Sequence, residues 1–555
     1  MPKKTSQPSA LTYLKKLGSW LDENILLVFS ALLIAFVPLY PKIPLFDILP
    51  GYIVRIRLED ALVAMAGLAW FIQLVRGKIT WKTPLLKQIG TYLIVGLLSL
   101  VSAMLITHTV PLEALHIGKS TLHLLRYTEY FFLFFLTYDS IKNVNQAKVL
   151  IWTIIITVIG IAIYGVGQKY WYWPVYSTMN REFSKGVRLY LTEHARVQST
   201  FGGHYDLGAY LVVVLPLLLS MAYKSGKKWE RRFLYLSHGI GLWLLIVSAS
   251  RAPFVAYSVA AAVVIGITAW EESTWKKRWK VFFKKGFALG LLTLVLFFSF
   301  GNDLYERFLH VLEGYPELSR TYHDWNYQRK QFRDELYYKL GISNTPPGGS
   351  VAFDNRDVMT PTDQQPTTVR PTDVYEDIPD IEKIVDENDN VIETREKPRV
   401  WSANALKYGL SVAIRLDSLW PNAIKGFTRN PLLGTGYATL NKEGSYHFTE
   451  ADSTDNNFLR VLGETGLLGF VTFFAIIAVV MKQTKQHLFD KNKLSSSVAI
   501  GVFACSIGLL VNALYIDVYA ASKVAFTYWA VVGLALAIFS FKPKKRKQPK
   551  KTVLL

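Results

Sequence analysis

Residues 454–481 read TDNNFLRVLGETGLLGFVTFFAIIAVVM, and the fold turns on how the polar first half meets the apolar second half. The run from Leu467 to Met481 carries no charge, and with the residues before it is long enough to cross roughly 30 Å of hydrocarbon as a helix. Asp455, Asn456, Asn457, Arg460 and Glu464 stand at its mouth. An ionisable group inside a spanning segment costs about 2.5–3.5 kcal/mol on insertion scales, so each needs a partner or a task. A helix starting near Asp455 puts Asn456, Arg460 and Glu464 on one face at i, i+4 and i+8, which pairs Arg460 with Glu464. Thr454 or Asp455 is the expected cap. Gly463, Gly466 and Gly469 recur every three residues, a spacing that admits close approach of another helix.

The same alternation of apolar runs and charged joints continues through the chain. Its 555 residues are 51% hydrophobic and 19% charged, with mean hydropathy +0.22, which excludes a set of soluble domains and predicts a helix bundle in lipid. Twelve runs qualify as spans: 24–41, 58–75, 88–106, 121–138, 148–168, 206–223, 234–250, 252–270, 286–301, 458–481, 494–515 and 519–541. The weakest are 234–250, which is short, and 121–138, which contains His123, Arg126 and Glu129. With both termini cytoplasmic, the inner loops hold 32 Lys and Arg against 10 in the short outer loops, as the positive-inside bias requires. The expected fold is an all-α polytopic protein of the cell inner (cytoplasmic) membrane, with about 12 transmembrane helices and one large extracytoplasmic loop between spans 9 and 10. The parts are a cytoplasmic N-terminal segment (1–23), spans 1–9 (24–301), the large loop (302–457), spans 10–12 (458–541) and a basic cytoplasmic tail (542–555).

No cleavable signal peptide is evident, and the first span reads as a signal anchor. The net charge of +20 is spread over loops on one face, which fits anchoring to anionic membrane lipids and not nucleic-acid binding. Cys505 is the single cysteine, so neither an intrachain disulfide nor a Cys-based metal site is expected.

The large loop breaks the charge pattern, with 17 Lys and Arg against 25 Asp and Glu. Its flanks have helical spacing; in residues 403–427, Leu410, Ile414, Leu416, Leu419 and Trp420 are expected to form one apolar face, on the membrane surface or capping the bundle. The stretch about 344–400 is rich in Pro, Thr and Asp and is expected to be mobile. Within it KIVDENDNVIET (383–394) reads as a small hairpin turning at its Asn/Asp cluster. No internal repeat is found, which counts against transporters built from repeated halves.

Four groups gather toward the outer boundary. The loop after the fifth span contains RVQSTFGGHYDLGAY, where Arg188, Arg196 and His204 are available to a ligand and Gly202 and Gly203 allow a tight turn before Asp206. The plainer alternative is an interfacial re-entrant loop anchored by Trp and Tyr. The turn SASRAPF puts Ser250 and Arg251 between two spans, where a partly desolvated guanidinium fork suits phosphate oxygens. A snorkelling anchor to headgroups is its alternative. Arg415 precedes NPLLGTGY (430–437), a cation beside a flexible turn. Last, SYHFTEADSTDNN brings His447 and Asp455 up to the helix mouth.

Taken in order, these stretches resemble the O-antigen ligase and O-antigen polymerase superfamily. An Arg precedes a Gly-containing turn (Arg196), a Ser-Arg outer turn follows (SASRAPF), and a large loop ends in NPLLGTGY and N-x-L-x-x-L-x-E-x-G-L-L-G. The resemblance covers roughly 120–480. It implies a membrane glycosyltransferase that takes a polyprenyl-pyrophosphate-linked glycan at the outer face and transfers it to an acceptor hydroxyl, on a glycan or a lipid-linked glycan. Such enzymes are associated with a metal-independent mechanism, with no cofactor and no nucleotide sugar. Carried over, the resemblance assigns catalytic roles to Arg251, Arg415 and a base, and substrate binding to Arg196, Arg251, Arg415, Asn456 and Arg460. The ligases carry a His just before the Asn that opens the late helix. Here Asp455 occupies that place and His447 lies nine residues before Asn456, so the base is either His447 or a carboxylate such as Asp455 or Asp452. The Asp-Asn form favours polymerase over lipid-core ligase. Other polysaccharide-export proteins are candidate partners. A transporter or flippase of lipid-linked glycan is the alternative, and it predicts polar groups near the bilayer midplane, not at its outer edge.

Overall fold

The computed structural model describes residues 10–48, 55–179, 183–191, 195–309, eight positions between 328 and 404, the segments 380–385 and 391–397, and residues 410–440 and 453–541. His447 and Asp452 lie outside the described residues, as do most of the 344–400 stretch and the basic tail. The chain is mostly helical, and ten described helices are long and apolar enough to cross a membrane.

They are α1 (Ala10–Leu39), α2 (Leu58–Val75), α3 (Leu86–Leu105), α5 (Val144–Trp171), α6 (His204–Lys224), α8 (Arg251–Trp270), α9 (Trp275–Phe300), α13 (Asn457–Gln486), α14 (Lys493–Asn512) and α15 (Ser522–Phe539). Two more, α4 (Ala114–Ser140) and α7 (Lys228–Val247), are as long but more polar. These are the two runs singled out as weak: α4 carries His123, Arg126 and Glu129, and α7 opens on KWERR. After α10 (Asn302–Leu309), the described part of the large loop holds a two-stranded sheet and a helix. The strands β3 (Asp380–Val385) and β4 (Val391–Lys397) pair antiparallel, Ile381 opposite Glu396, so the hairpin expected at 383–394 is present. A shorter pair, β1 (Phe46–Asp47) and β2 (Arg55–Ile56), ties the segment between α1 and α2.

The centre of the bundle is α6, buried along nearly its whole length against α7, α8 and α14. α15, also buried, packs on α4. α9 has no buried residue and lies at the rim on α7 and α8. At one end of the bundle the basic joints are paired off: Arg76 and Lys78 hold Asp22, and Lys224 holds Glu271. The loops of the opposite end are tied to one another. Buried Lys523 donates to the carbonyls of Pro38, Tyr40 and Thr200, Arg55 Nη1 bonds Ser184 Oγ at 2.8 Å, and the Val197 amide bonds the Val247 carbonyl at 3.3 Å.

Two features at that end depart from the sequence expectation. α11 (Leu410–Ile414) runs through a π-helical turn (Arg415–Leu419) into α12 (Trp420–Arg429). A π-helical turn holds one residue more than an α-turn and so shifts the face that follows. Ala413, Arg415, Leu419 and Ala423 are buried, while Ile414 and Leu416 stand on the exposed side. The second is NPLLGTGY, expected to be flexible. α13 breaks at Gly466 (φ 65°, ψ −166°), and the break frees backbone groups of the helix. The Leu467 and Leu468 amides find the carbonyls of Pro431 and Leu432, at 2.8 and 3.2 Å. The Gly463 and Glu464 carbonyls accept the amides of Thr435 and Gly436, at 3.0 and 2.8 Å. Ser99 Oγ on α3 adds bonds to the Leu433 and Glu464 carbonyls, at 2.6 and 2.9 Å. The approach is so close that a Cβ on Gly466 would lie 2.4 Å from the Leu432 carbonyl, and one on Gly434 (φ 68°) 2.6 Å from that of Glu464. Gly463 thus admits the neighbouring α12, where a Cβ would lie 2.8 Å from the Ala423 carbonyl, whereas Gly466 admits a loop, and the loop is fixed.

Candidate functional site

The site is assembled at the tied end from four stretches distant in sequence. On the first, half-buried Arg196 and buried His204 meet through Arg196 Nη1 and His204 Nε2, and Arg196 Nη1 reaches the Tyr205 hydroxyl at 3.4 Å. His204 opens α6, and Gly203 precedes it in extended backbone. The chain turns tightly before α6, with the Phe201 amide on the Gln198 carbonyl at 3.0 Å and a bend through Gly202 and Gly203; Gly202 also serves contact, since a Cβ there would strike Thr178 at 2.2 Å. The QSTF segment between is buried and held by Gln168, whose side chain bonds both the amide and the carbonyl of Ser199, at 2.7 and 2.8 Å. Arg188 is turned to the tyrosine hydroxyls of Tyr176 and Tyr190.

The second stretch is the turn before α8. Ser250 Oγ donates to the His204 carbonyl at 3.1 Å, and Ala249 takes a left-handed φ of 48°. This places half-buried Arg251 one residue from a direct contact with the Arg196–His204 pair.

The third is the π-helical turn. Its first residue, Arg415, has a side chain 3% exposed, with Cζ 4.0 Å above the Tyr515 ring and Nη2 2.7 Å from Asp455 Oδ2. The stacking and the ion pair together hold a guanidinium out of water. Asp455 is the more exposed partner, at 28%, and takes a left-handed φ of 51°. Ser453 Oγ accepts the Asp455 amide at 3.3 Å.

The fourth is the mouth of α13. The cap is Asn456, not Thr454 or Asp455: its side chain accepts the amides of Phe458 and Leu459, both at 3.1 Å. Arg460 lies 3.4 Å from Glu464 Oε2, the expected pair, and 3.0 Å from Asp517 Oδ2. Glu464 also accepts the Ala438 amide at 3.1 Å, which joins the pair to the fixed NPLLGTGY loop. Beside it Tyr437, whose hydroxyl burial pushes well above the usual phenol range, donates toward Tyr92 at 3.5 Å.

These stretches converge. Arg196 bonds the Tyr205 hydroxyl directly, at 3.4 Å, while Arg415 and Asp455 pair with each other at 2.7 Å and act on that hydroxyl only through their charges. Asn456 and Arg460 are occupied within the protein, by capping and by ion pairing. Among the described residues no group of three or more His, Cys, Asp and Glu is placed to hold a metal ion. Sequence reasoning did not identify Tyr205, Tyr515 or Asp517. Asp517 had a signal: an acid in LYIDVYAAS, between two apolar runs, raises the same question as Arg251 in SASRAPF. The arrangement sets two guanidiniums and a partly exposed carboxylate at one end of the bundle, with Arg415 already paired to Asp455 and stacked on Tyr515. Protein-family models give no match to this chain, and neither do curated proteins.

Proposed function

We propose that the protein is a membrane glycosyltransferase of the O-antigen ligase and polymerase type. It transfers a polyprenyl-pyrophosphate-linked glycan to an acceptor hydroxyl in cell-surface polysaccharide assembly. The observation that carries this is the bond of Arg196 to the Tyr205 hydroxyl, on which the Arg415–Asp455 pair acts through its charges, with Arg251 joined through Ser250 and His204. α4 and α7 count as spans, which makes twelve; the tied end is the outer face of the inner membrane, and both termini are cytoplasmic. The acceptor oxygen attacks the anomeric carbon as its bond to the pyrophosphate oxygen breaks. Negative charge grows on the leaving pyrophosphate, and cations fixed in a water-poor site stabilise it there. The acceptor proton goes to Asp455 or His447, and polyprenyl pyrophosphate leaves. Asn456, Arg460 and Glu464 hold the helix mouth and do not enter the chemistry. Polymerase is favoured over lipid-core ligase by the Asp-Asn order at 455–456. A broken helix is also a transporter device, but the amides and carbonyls freed at Gly466 are taken by the 431–436 loop and are not turned to a substrate.

The test is reconstitution in vesicles with a polyprenyl-pyrophosphate oligosaccharide and mass analysis of the products. Elongated lipid-linked chains identify a polymerase and transfer to another acceptor a ligase; unchanged glycan rejects the proposal. Arg415→Ala and Arg251→Ala should each lower transfer by about 10²–10³ while the protein still inserts. The Lys variants retain charge without the bidentate fork and should fall between. Full transfer by both Ala variants would remove these residues from the site.

A further inference from the structure

Asp517 lies between α14 and α15 and is 5% exposed. Its carboxylate gathers four donors. Oδ2 accepts from Ser453 Oγ at 2.8 Å, the Thr454 amide at 2.9 Å and Arg460 Nη1 at 3.0 Å; Oδ1 accepts the Asn456 amide at 3.1 Å. Three of the four belong to 453–456, the segment that presents Asp455, and the amides on both sides of Asp455 are among them. Asp455 needs such holding, because its left-handed backbone costs an ordinary L-residue roughly 1–2 kcal/mol. Two residues before Asp517, the Tyr515 ring carries the Arg415 guanidinium. One short turn therefore fixes both members of the Arg415–Asp455 pair, which come from either side of the 441–452 segment.

We propose that Tyr515 and Asp517 are the positioning residues of the site: Tyr515 sets the plane of Arg415, and Asp517 sets the backbone that aims Asp455. This rests on the glycosyl-transfer reading above. A group fixed by hydrogen bonds and stacking needs no reorganisation when the substrate arrives, and a misplacement of about 1 Å costs about 10² in rate.

Asp517→Asn keeps the shape and one good acceptor but weakens the hold on Arg460 and the 453–456 amides. It should elute and unfold like the wild type, exchange amide hydrogens faster over 453–460, and show kcat about 100-fold lower with donor KM little changed. Tyr515→Leu should raise the donor KM, and Tyr515→Phe, which keeps the ring, should restore it. Unchanged kcat in Asp517→Asn, or equal donor KM in the Leu and Phe variants, overturns the proposal. Should the variants misfold, exchange over 453–460 no faster than in the rest of the chain marks the role as purely structural and rejects positioning. If the wild type transfers no glycan, the reaction assignment falls; faster local exchange in Asp517→Asn then still upholds the hold on the 453–456 segment.

Discussion

Lys42 is an amine closed off from water at the tied end, bonded to Ser522 Oγ. Burial, reinforced by the charge of Arg57 and opposed by Glu59 and Asp206, pushes its pKa down to about 8 from the ordinary 10.5. Between about 8 and 10.5 the folded chain then binds fewer protons here than the unfolded chain, so stability rises with pH through that window. The cost of charging Lys42 is fully present below about 8. In detergent, the wild-type unfolding midpoint should climb between pH 8 and 10 relative to Lys42→Met; parallel curves would assign the charge elsewhere. Among single residues, the sequence disclosed those that are costly where they stand. Arg251 and Arg415 beside apolar runs, and Arg460 with Glu464 at helical spacing, are legible because their cost is local. Tyr515 and Asp517 were missed because their partners lie 100 and about 60 residues away, a distance that spacing rules do not cover.

The π-helical turn places one extra residue between Arg415 and α12. The Trp420 amide bonds the Arg415 carbonyl across the wide turn, so removing one residue inside it turns that bond into an ordinary α-helical one and leaves Arg415 in place before α12. Deletion of Leu416, which is exposed, should therefore keep Arg415 on Tyr515 and retain transfer, while circular dichroism reports unchanged helix content. Loss of transfer in a folded deletion variant would show that the wide turn itself sets the arginine. The long helices were legible as apolar runs bounded by charge, but several begin well before the run: α1 starts at Ala10 and not 24, α9 at Trp275 and not 286, and α4 at Ala114 and not 121. The hairpin at 380–397 was legible from its Asn/Asp cluster. The π-helical turn was not, because apolar periodicity assumes a constant 3.6 residues per turn. The fixed NPLLGTGY loop was also hidden: its Gly and Pro residues mark a turn but do not reveal that a broken helix will bind it.

The bundle as a whole predicts a two-sided pattern of access. With Cys505→Ser as background, a cysteine at Thr428 should react with an impermeant maleimide added to intact cells. Cysteines at Ser225 and Asn145 should react only after the membrane is opened, which also checks α4 and α7 as spans. Labelling of all three from outside would overturn the twelve-span arrangement. Membrane class and helix order could be read from composition and charge asymmetry, whereas the convergence of Arg196, Arg415 and Asp455 required the packed structure. The break at Gly466 has a further consequence for anyone recombining this protein with another. The first turns of α13 and the 431–436 loop complete one another's backbone, so the seam between the large loop and the helix bundle is not a place where the chain is modular. A chimaera that exchanges the loop but keeps the native helix from 457 onward strands the Leu467 and Leu468 amides and the Gly463 carbonyl, leaving the Glu464 carbonyl to Ser99 alone. Only a graft that carries 430–468 as one block preserves the joint.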